Sequence, residues 1–333
     1  MSSAHLAASK LFSVKGLTAV VTGGGTGIGL MATQVLAANG AKVYIIGRRT
    51  EKLENVVKTY GGDKISGEII PLQGDVTSKD DLKRLAEEVK SREGGIHILV
   101  NNAGISGEVT KLAPLNTAQE IFDAHWKEQT MEGWTDVFRT NAFALFYSTI
   151  AFLPLLEKNT WGKDPAGKEI YENYQTGVVN ITSISGLVKS AQNHFAYNAS
   201  KAAATHLQRM LATEIGPKTG IRFNAIAPGV FPSGASFCYL SPRFVLLGAF
   251  LTCSVSCMFA IAEMTGSGSD ENNKTSLEGE FDPKSLNVPA NRAGTDEDMA
   301  GTILYLCSRA GQYTNGVILP VDGGTLSTNP SSY

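Results

Sequence analysis

The chain has 333 residues and a formal net charge of −2. This balance gives no electrostatic reason to expect nucleic acid or an anionic membrane as a partner. Apolar residues make up 43% and charged residues 18% of the chain, which is typical of a globular protein with a sizeable core. The four cysteines lack regular spacing, so the sequence predicts neither a disulfide framework nor a metal site.

The two ends of the chain carry no pattern of a targeting signal. Residues 1–16 lack the basic start and the continuous apolar core of a secretory signal. The final residues, Asn-Pro-Ser-Ser-Tyr, differ from a peroxisomal address. Together with the sparse cysteines, these features predict a protein of a reducing compartment, the cytoplasm.

Short apolar segments alternate with segments of helical length along most of the chain. Seven of the apolar segments are predicted strands, at 18–22, 42–46, 68–73, 96–100, 177–182, 221–226 and 316–320. Continuous apolar runs are typical of strands that are buried on both faces of a parallel sheet. The alternation of strands and helices indicates a doubly wound α/β fold. We predict one Rossmann-type domain over residues 1–333, with a parallel sheet of about seven strands flanked by helices.

The first predicted strand leads into a glycine-rich turn, Thr22-Gly-Gly-Gly-Thr-Gly-Ile-Gly29. Glycines let a pyrophosphate approach the backbone, and the N-terminus of the next helix offers unpaired N–H groups to it. The glycine spacing, G-x-x-x-G-x-G, differs from the G-x-G-x-x-G of most dinucleotide-binding folds, and a turn without a ligand is the alternative interpretation. The predicted cofactor contacts in this turn are Gly23, Thr26, Gly27, Ile28 and Gly29.

The second predicted strand ends in Gly47-Arg48-Arg49. In an NAD-binding fold an acidic residue near this position holds the ribose 2′-hydroxyl. A glycine followed by two arginines suits a 2′-phosphate instead, because a guanidinium can bind a phosphate through paired hydrogen bonds. The pattern favours NADP(H) over NAD(H), with contacts at Arg48 and Arg49. A solvated pair of arginines at a helix start is the alternative.

A predicted helix contains Tyr197 and Lys201, whose i, i+4 spacing places them on one helical face. A free tyrosine has a pKa of about 10. A neighbouring ammonium and a nicotinamide cation would both lower that pKa towards the range in which a proton is transferred. Ser183 follows the fifth predicted strand, where its hydroxyl could hydrogen-bond a substrate carbonyl oxygen. Tyr-x-x-x-Lys alone is a weak signal, and the nucleotide turn and the serine strengthen it.

Taken together, these motifs resemble the short-chain dehydrogenase/reductase family, in particular its fungal members and its oxoacyl reductases. The motifs occur in the family's order and are TGGGTGIG at 22–29, NNAG at 101–104, Asn141, Ser183, YNASK at 197–201 and IAPG at 226–229. The similarity covers about residues 14–233 and 263–326. Nearly the whole chain therefore resembles the family, apart from one stretch after Ser233.

The resemblance implies a role for four residues in catalysis. Tyr197 would be the general acid in carbonyl reduction and the general base in the reverse reaction. Lys201 would lower the pKa of Tyr197 and hold the nicotinamide ribose. Ser183 would orient the substrate oxygen, and Asn141 would support a water in the proton relay.

The resemblance also implies further contacts to the cofactor. Asp75 and Val76 would flank the adenine, and Arg139 is equally well explained as a surface charge on a helix. The contacts implied along the cleft are Asp75, Val76, Asn102, Ala103, Gly104, Arg139, Tyr197, Lys201, Pro228, Gly229, Val230 and Ser233.

The implied activity is that of an NADP(H)-dependent oxidoreductase. It would reduce a ketone or a 3-oxoacyl group of a small molecule to an alcohol, or run in reverse, in secondary or lipid metabolism. The alternative is a catalytically impaired homologue that binds the cofactor as a partner or scaffold. Family members usually pair through the helices that correspond to 132–157 and 197–215, which implies a homodimer or homotetramer. The alternative is that these helices pack only on the sheet.

Residues 234–262 interrupt the family pattern. This stretch has a single charge, Arg243, and its last 19 residues, 244–262, carry none. Three interpretations are open: a substrate lid, a membrane segment, or an intron retained in the reading frame. Removing the stretch joins IAPGVFPS to EMTGSG, which resembles the uninterrupted family sequence and favours the intron. A span needs about 20 apolar residues and would divide the domain across the membrane, whereas a lid that dips into lipid would not.

Overall fold

The computed structural model describes residues 3–112, 115–159, 174–231 and 288–329. Ser233 and the stretch 234–262 lie outside these ranges. The described part contains seven strands: β1 (Thr18–Thr22), β2 (Lys42–Gly47), β3 (Glu68–Gln73), β4 (Ile98–Asn101), β5 (Gly177–Ile181), β6 (Arg222–Pro228) and β7 (Ile318–Val321). Each coincides with a predicted strand to within two residues at either end.

All seven strands are parallel and form one sheet in the order β3-β2-β1-β4-β5-β6-β7. The predicted doubly wound, Rossmann-type fold is therefore confirmed. The chain builds outwards from β1 through β2 to β3 and then returns to place β4 on the other side of β1. This reversal opens a crevice at the carboxyl ends of β1 and β4, where ligands bind in open α/β sheets.

Helices connect the strands and cover both faces of the sheet. The α-helices are α1 (Ala8–Leu11), α2 (Gly27–Ala38), α3 (Thr50–Tyr60), α4 (Lys79–Glu93), α5 (Ala118–Glu128), α6 (Met131–Phe138), α7 (Ala144–Asn159), α8 (Phe195–Met210), α9 (Gly216–Thr219), α10 (Asp296–Cys307) and α11 (Thr325–Thr328). Five-residue π-helical turns lie at Arg139–Phe143, between α6 and α7, and at Leu211–Ile215, after α8. Within the described ranges, no helix combines the length and the apolar character that crossing a membrane requires.

The central strand β1 shows why the strands are apolar throughout. Ala19 and Val21 pack into the core on one face of the sheet, which α2 and α10 cover. Val20, between them, packs into the core on the opposite face with Phe152 of α7. All three β1 side chains are fully buried. Because successive side chains of a strand point to opposite faces, a strand covered on both sides has no polar face.

Candidate active site

The glycine-rich turn between β1 and α2 has a backbone that only glycine suits. Gly23 and Gly27 have positive φ angles of +66° and +53°, which other residues rarely adopt. A Cβ on Gly29 would lie 2.1 Å from the carbonyl oxygen of Gly23. In the described part of the chain, the Thr26 hydroxyl accepts no hydrogen bond from the first N–H groups of α2. The helix therefore presents N–H groups and the positive end of its dipole to an anion.

Asn102 fastens this turn to the end of β4. Its side-chain amide donates hydrogen bonds of 3.1 Å to the carbonyl oxygens of Thr22 and Gly23. Its main-chain N–H donates to the hydroxyl of Thr22 at 3.0 Å, and that of Ala103 donates to the same hydroxyl at 3.2 Å. The Asn102 side chain is thus placed to hold the turn in shape.

A cavity of about 310 Å³ lies at the crevice between these segments. The residues predicted as cofactor contacts that line it are Gly23, Thr26, Arg48, Arg49, Asp75, Val76, Ala103 and Gly104. The lining residues that the sequence analysis missed are Gly25, Ile46, Gly47, Lys52, Leu53, Gly74, Thr77, Ile105 and Thr140. The cavity therefore joins the glycine turn to the two arginines that follow β2.

Asp75 has a second role at this cavity, because its carboxylate shapes the turn after β3. The carboxylate accepts hydrogen bonds from the main-chain N–H of Thr77 at 2.9 Å and from the Thr77 hydroxyl at 2.7 Å. The N–H of Asp75 in turn donates to Asp81 at 2.8 Å. These bonds hold Val76 against the cavity.

The other predicted contacts lie away from the lining of this cavity. Gly27, Ile28 and Gly29 lie at the start of α2, and Asn102 follows β4; none of the four lines the cavity. Arg139 is exposed and donates to Asp136 at 3.1 Å.

The segment Pro228–Val230 lies at the carboxyl end of β6. There the Gly229 N–H donates to Val321 of β7 at 2.9 Å. A Cβ on Gly229 would lie 2.8 Å from Cα of Asp322, so glycine permits this close approach of two chain segments.

Tyr197 and Lys201 lie one turn apart on the buried face of α8. They are 3% and 1% exposed, and the Lys201 ammonium is 5.8 Å from the centre of the Tyr197 ring. The ammonium donates a hydrogen bond of 3.0 Å to the carbonyl oxygen of Ile181, the last residue of β5. Ser183 follows two residues later, and its hydroxyl hydrogen-bonds the Tyr197 hydroxyl. The predicted serine, tyrosine and lysine are therefore brought together.

Asn141 lies in the π-helical turn between α6 and α7, a feature that often marks functional sites. Its side-chain oxygen accepts from the Ile105 N–H at 2.8 Å. Its amide donates to the Ile105 carbonyl at 2.8 Å and to the Ser200 hydroxyl at 2.9 Å. Ser200 itself donates to the carbonyl of Tyr197 at 2.7 Å. These bonds tie Asn141 to the helix that carries the tyrosine and the lysine.

Burial controls the protonation of this site. It raises the pKa of Tyr197 to about 12, and the hydrogen bond from Ser183 opposes this rise. Burial also lowers the pKa of Lys201 to about 8, because the ammonium loses its hydration. In the protein alone, the causes of the Tyr197 pKa shift are burial and Ser183. The expected effect of Lys201, together with a bound nicotinamide cation, stays a prediction.

Replacing Lys201 by methionine should stabilise the protein at neutral pH. The folded-state pKa of about 8 lies below the ordinary 10.5, so the unfolded chain binds more protons between these values and stability rises with pH across that window. Below pH 8 the buried ammonium costs the fold up to about 3 kcal/mol. We expect Lys201→Met to unfold at higher denaturant at about pH 7, and this gain to shrink towards pH 10.

Chemical denaturation at several pH values measures this effect. Lys218→Met, at an exposed position on α9, is the matched control and should show no such pH dependence. A Lys201→Met variant whose stability differs from that of the wild type by the same amount at both ends of the window would contradict the expectation.

Comparisons with known proteins agree with this geometry. A family model described as short chain dehydrogenase matches residues 17–236. A curated relative, the short-chain dehydrogenase/reductase PhomF of Diaporthe leptostromiformis, is 40% identical over 336 residues, which cover 98% of this chain and 97% of the relative.

Two solved structures have similar folds. One is the Pseudomonas aeruginosa RhlG/NADP active-site complex, with 27% identity, a TM-score of 0.68, and coverage of 95% of this chain and 98% of that chain. The other is a 7α-hydroxysteroid dehydrogenase in complex with NADH and 7-oxo glycochenodeoxycholic acid, with 26% identity, a TM-score of 0.66, and coverage of 94% and 95%.

The fold, the Tyr197–Lys201 pair and the matches together define a class of oxidoreductase. The chain belongs to the short-chain dehydrogenase/reductase family. The resemblance to the family's fungal members is confirmed by the relative from Diaporthe.

Proposed function

We propose that the protein is an NADP(H)-dependent reductase of a ketone or 3-oxoacyl group, acting also in the reverse direction. The observation that carries the proposal is the placement of two sites at the same edge of the sheet. Buried Ser183, Tyr197 and Lys201 lie at the carboxyl end of β5. The cavity with Arg48 and Arg49 lies beside the carboxyl ends of β1 and β2.

The residues of the cavity fit a dinucleotide. The glycine turn packs so closely that a Cβ at Gly23 or Gly29 would clash with the Asn102 amide, and the start of α2 suits a pyrophosphate. Asp75 and Val76 would flank the adenine, Ala103 and Gly104 would line its path, and Lys201 would hold the nicotinamide ribose. When bound, the nicotinamide supplies or accepts the hydride.

The chain's own residues supply the proton and the orientation. Ser183 positions the carbonyl oxygen of the substrate at the Tyr197 hydroxyl, which gives that oxygen its proton. The Lys201 ammonium favours the phenolate form of Tyr197 electrostatically. Asn141, held by Ile105 and Ser200, supports the water through which the tyrosine regains a proton.

The relatives support the reduction of an oxo group as the reaction class, and they do not identify one substrate. The 7α-hydroxysteroid dehydrogenase structure contains a 7-oxo compound, and reduction of a ketone on a small apolar molecule is the chemistry we propose here. Four exposed apolar side chains support a homodimer or homotetramer formed through α7 and α8. Tyr147 and Ile150 are on α7, Phe143 directly precedes it, and Met210 is on α8. We further propose that the protein works as one domain in the cytoplasm, in secondary or lipid metabolism.

The alternative, a cofactor-binding homologue without activity, would require damage to the site. Within the described residues, Asn141 hydrogen-bonds Ile105 and Ser200, and Lys201 hydrogen-bonds Ile181 next to the strand end that leads to Ser183. This favours the enzyme over the scaffold.

The preference for NADP(H) is tested by titrating the full chain with NADPH and NADH. We expect NADPH to bind more tightly, and Arg48→Gln to weaken NADPH binding by about 10–100-fold, because a hydrogen bond to a charged group contributes about 1.5–3 kcal/mol. NADH binding should change less than about twofold. Arg209→Gln, at an exposed position on α8, serves as the control. Equal binding of the two cofactors by the wild type would refute the proposed preference.

A further inference from the structure

His194 is a buried histidine beside Tyr197 that the proposed mechanism does not use. It is the N-cap residue of α8, three residues before Tyr197. Its ring packs edge-on against the Tyr197 ring, with 6.3 Å between the two ring centres. His194 is 8% exposed, compared with 6% for Ser183 and 3% for Tyr197. A substrate that reaches the serine and the tyrosine therefore also comes close to this imidazole.

The imidazole of His194 carries an unpaired polar atom. Within the described residues, its Nδ1 is buried and has no hydrogen-bond partner. A buried polar atom without a partner lowers stability, and such atoms are rare in native folds. Burial lowers the pKa of His194, so the ring is neutral at neutral pH and has one nitrogen that donates and one that accepts. The imidazole is therefore suited to bind an uncharged polar group.

The turn before α8 fixes the position of His194. Gln192 and Asn193 have positive φ angles of +53° and +67°, in the left-handed region that residues other than glycine seldom adopt. The Asn193 carbonyl accepts from the N–H of Thr110 at 3.1 Å, and its side-chain oxygen accepts from the N–H of Leu112 at 3.1 Å. Backbone of this kind costs free energy and is concentrated at functional sites. The neighbouring segment thus stabilises a turn that holds His194 next to Tyr197.

The order of the side chains along α8 places His194 on the substrate side of Tyr197. Lys201 would hold the nicotinamide ribose, and its ammonium lies 5.8 Å from the centre of the Tyr197 ring. Lys201 comes four residues after Tyr197, whereas His194 lies about 4.5 Å in the opposite direction along the helix axis. The cofactor therefore approaches Tyr197 from one side and leaves the side of His194 to the substrate.

We propose that His194 is a specificity-determining residue whose imidazole hydrogen-bonds a second oxygen of the substrate, close to the carbonyl that is reduced. This inference rests on the proposed carbonyl reduction and narrows its substrate class. A 3-oxoacyl group has such an oxygen, the acyl carbonyl two carbons from the ketone, and a simple ketone has none. His194 selects 3-oxoacyl compounds, because a simple ketone would leave the imidazole unpaired.

Reduction of two matched compounds by the full-length His194→Phe variant at saturating NADPH tests this proposal. One compound is an acetoacetyl thioester, and the other is the thioether in which a methylene replaces the thioester carbonyl. The wild type should prefer the thioester. We expect the variant to lose about tenfold in kcat/KM for the thioester and less than about twofold for the thioether, because it lacks one hydrogen bond.

Two further variants control for the loss of the ring. His194→Gln keeps an amide that can hydrogen-bond, and it should retain most of the preference for the thioester. His206→Phe replaces an exposed histidine on the same helix, and it should leave kcat/KM for both compounds unchanged. Thermal melts show whether each variant is folded, and phenylalanine at position 194 keeps an aromatic ring against Tyr197.

The outcomes separate this inference from the proposed function. Equal losses for both compounds would mean that His194 only supports Tyr197 and would overturn the inference, as would an unchanged kcat/KM for the thioester. A wild type that reduces the thioether as efficiently as the thioester would overturn the inference and leave the proposed reductase in place. A wild type that reduces neither compound, at several acyl lengths, would overturn the proposed 3-oxoacyl reduction and this inference with it.

Discussion

Tyr197→Phe should lower the rate of carbonyl reduction by about 10²–10⁴-fold, the usual contribution of a positioned acid or base. The variant keeps the buried ring and loses only the hydroxyl that hydrogen-bonds Ser183. NADPH binding should stay within about twofold of the wild type, because the cavity at β1 and β2 does not include this side chain. The loss should therefore appear in kcat.

NADPH consumption with a panel of ketones and 3-oxoacyl thioesters measures this effect, alongside NADPH binding by fluorescence. Tyr313→Phe, at a fully exposed position, is the matched control and should turn over at the wild-type rate. Unchanged turnover by Tyr197→Phe would remove the tyrosine from its assigned role. A wild type that binds NADPH but reduces no member of the panel would favour the scaffold alternative.

The centre of the sheet was predictable because its strands have no solvent-facing side. Ala19, Val20 and Val21 are all buried, on alternating faces, so β1 is a continuous apolar run, whereas β3 and β7 are partly exposed. The helices α5 and α10 were not predicted, although both begin with a capping box, Thr117–Glu120 and Thr295–Asp298. A capping box is a short pattern of polar residues, so the positions of the apolar runs do not reveal it.

The core of the candidate site was also predictable, because its chemistry depends on spacing along one element. Tyr197 and Lys201 are four residues apart on α8, and this spacing alone places them on one face. The π-helical turn at Asn141 was not predicted, since no local sequence signal indicates it; in the fold it packs against α8. Lys52 was missed for a related reason. A lysine early in a charged helix is usually solvated, and only its position in the cavity lining makes it a candidate contact.

Arg222 is a further residue that sequence reasoning passed over, and it lies at the start of β6, at the edge of the sheet opposite the active site. It is only 2% exposed. Its guanidinium donates to the carbonyl oxygens of Leu306 and Gly311 at 3.1 Å each. Two further acceptors are the carbonyls of Gln175 and Thr314, each at 3.3 Å from the nearest guanidinium nitrogen. One buried cation thus ties β6 to the segment before β5 and to the chain after α10.

Because of this location, we expect the replacement of Arg222 to lower the free energy of unfolding strongly. Burial lowers the pKa of Arg222, because the guanidinium loses its hydration. The hydrogen bonds to the four carbonyls offset part of this cost. Arg222→Met should fill much of the same space while removing this donor from the carbonyls of Gln175 and Leu306. The carbonyls of Gly311 and Thr314 keep the Thr314 N–H and the Asn224 amide as donors. A buried polar group left unpaired costs about 1–3 kcal/mol. We therefore expect the free energy of unfolding to fall by about 3 kcal/mol or more.

Urea denaturation of the full chain measures this loss, and the exposed Arg209→Met on α8 should change stability by less than about 0.5 kcal/mol. Arg222→Lys keeps a charge but offers fewer donors in a less suitable geometry, so its stability should fall between those of the methionine variant and the wild type. Arg222→Lys therefore still tests the prediction if Arg222→Met does not fold. If Arg222→Met cost less than about 1 kcal/mol, the carbonyls of Gln175 and Leu306 would find other partners in the folded variant, and the cation would not be what holds the last strands together.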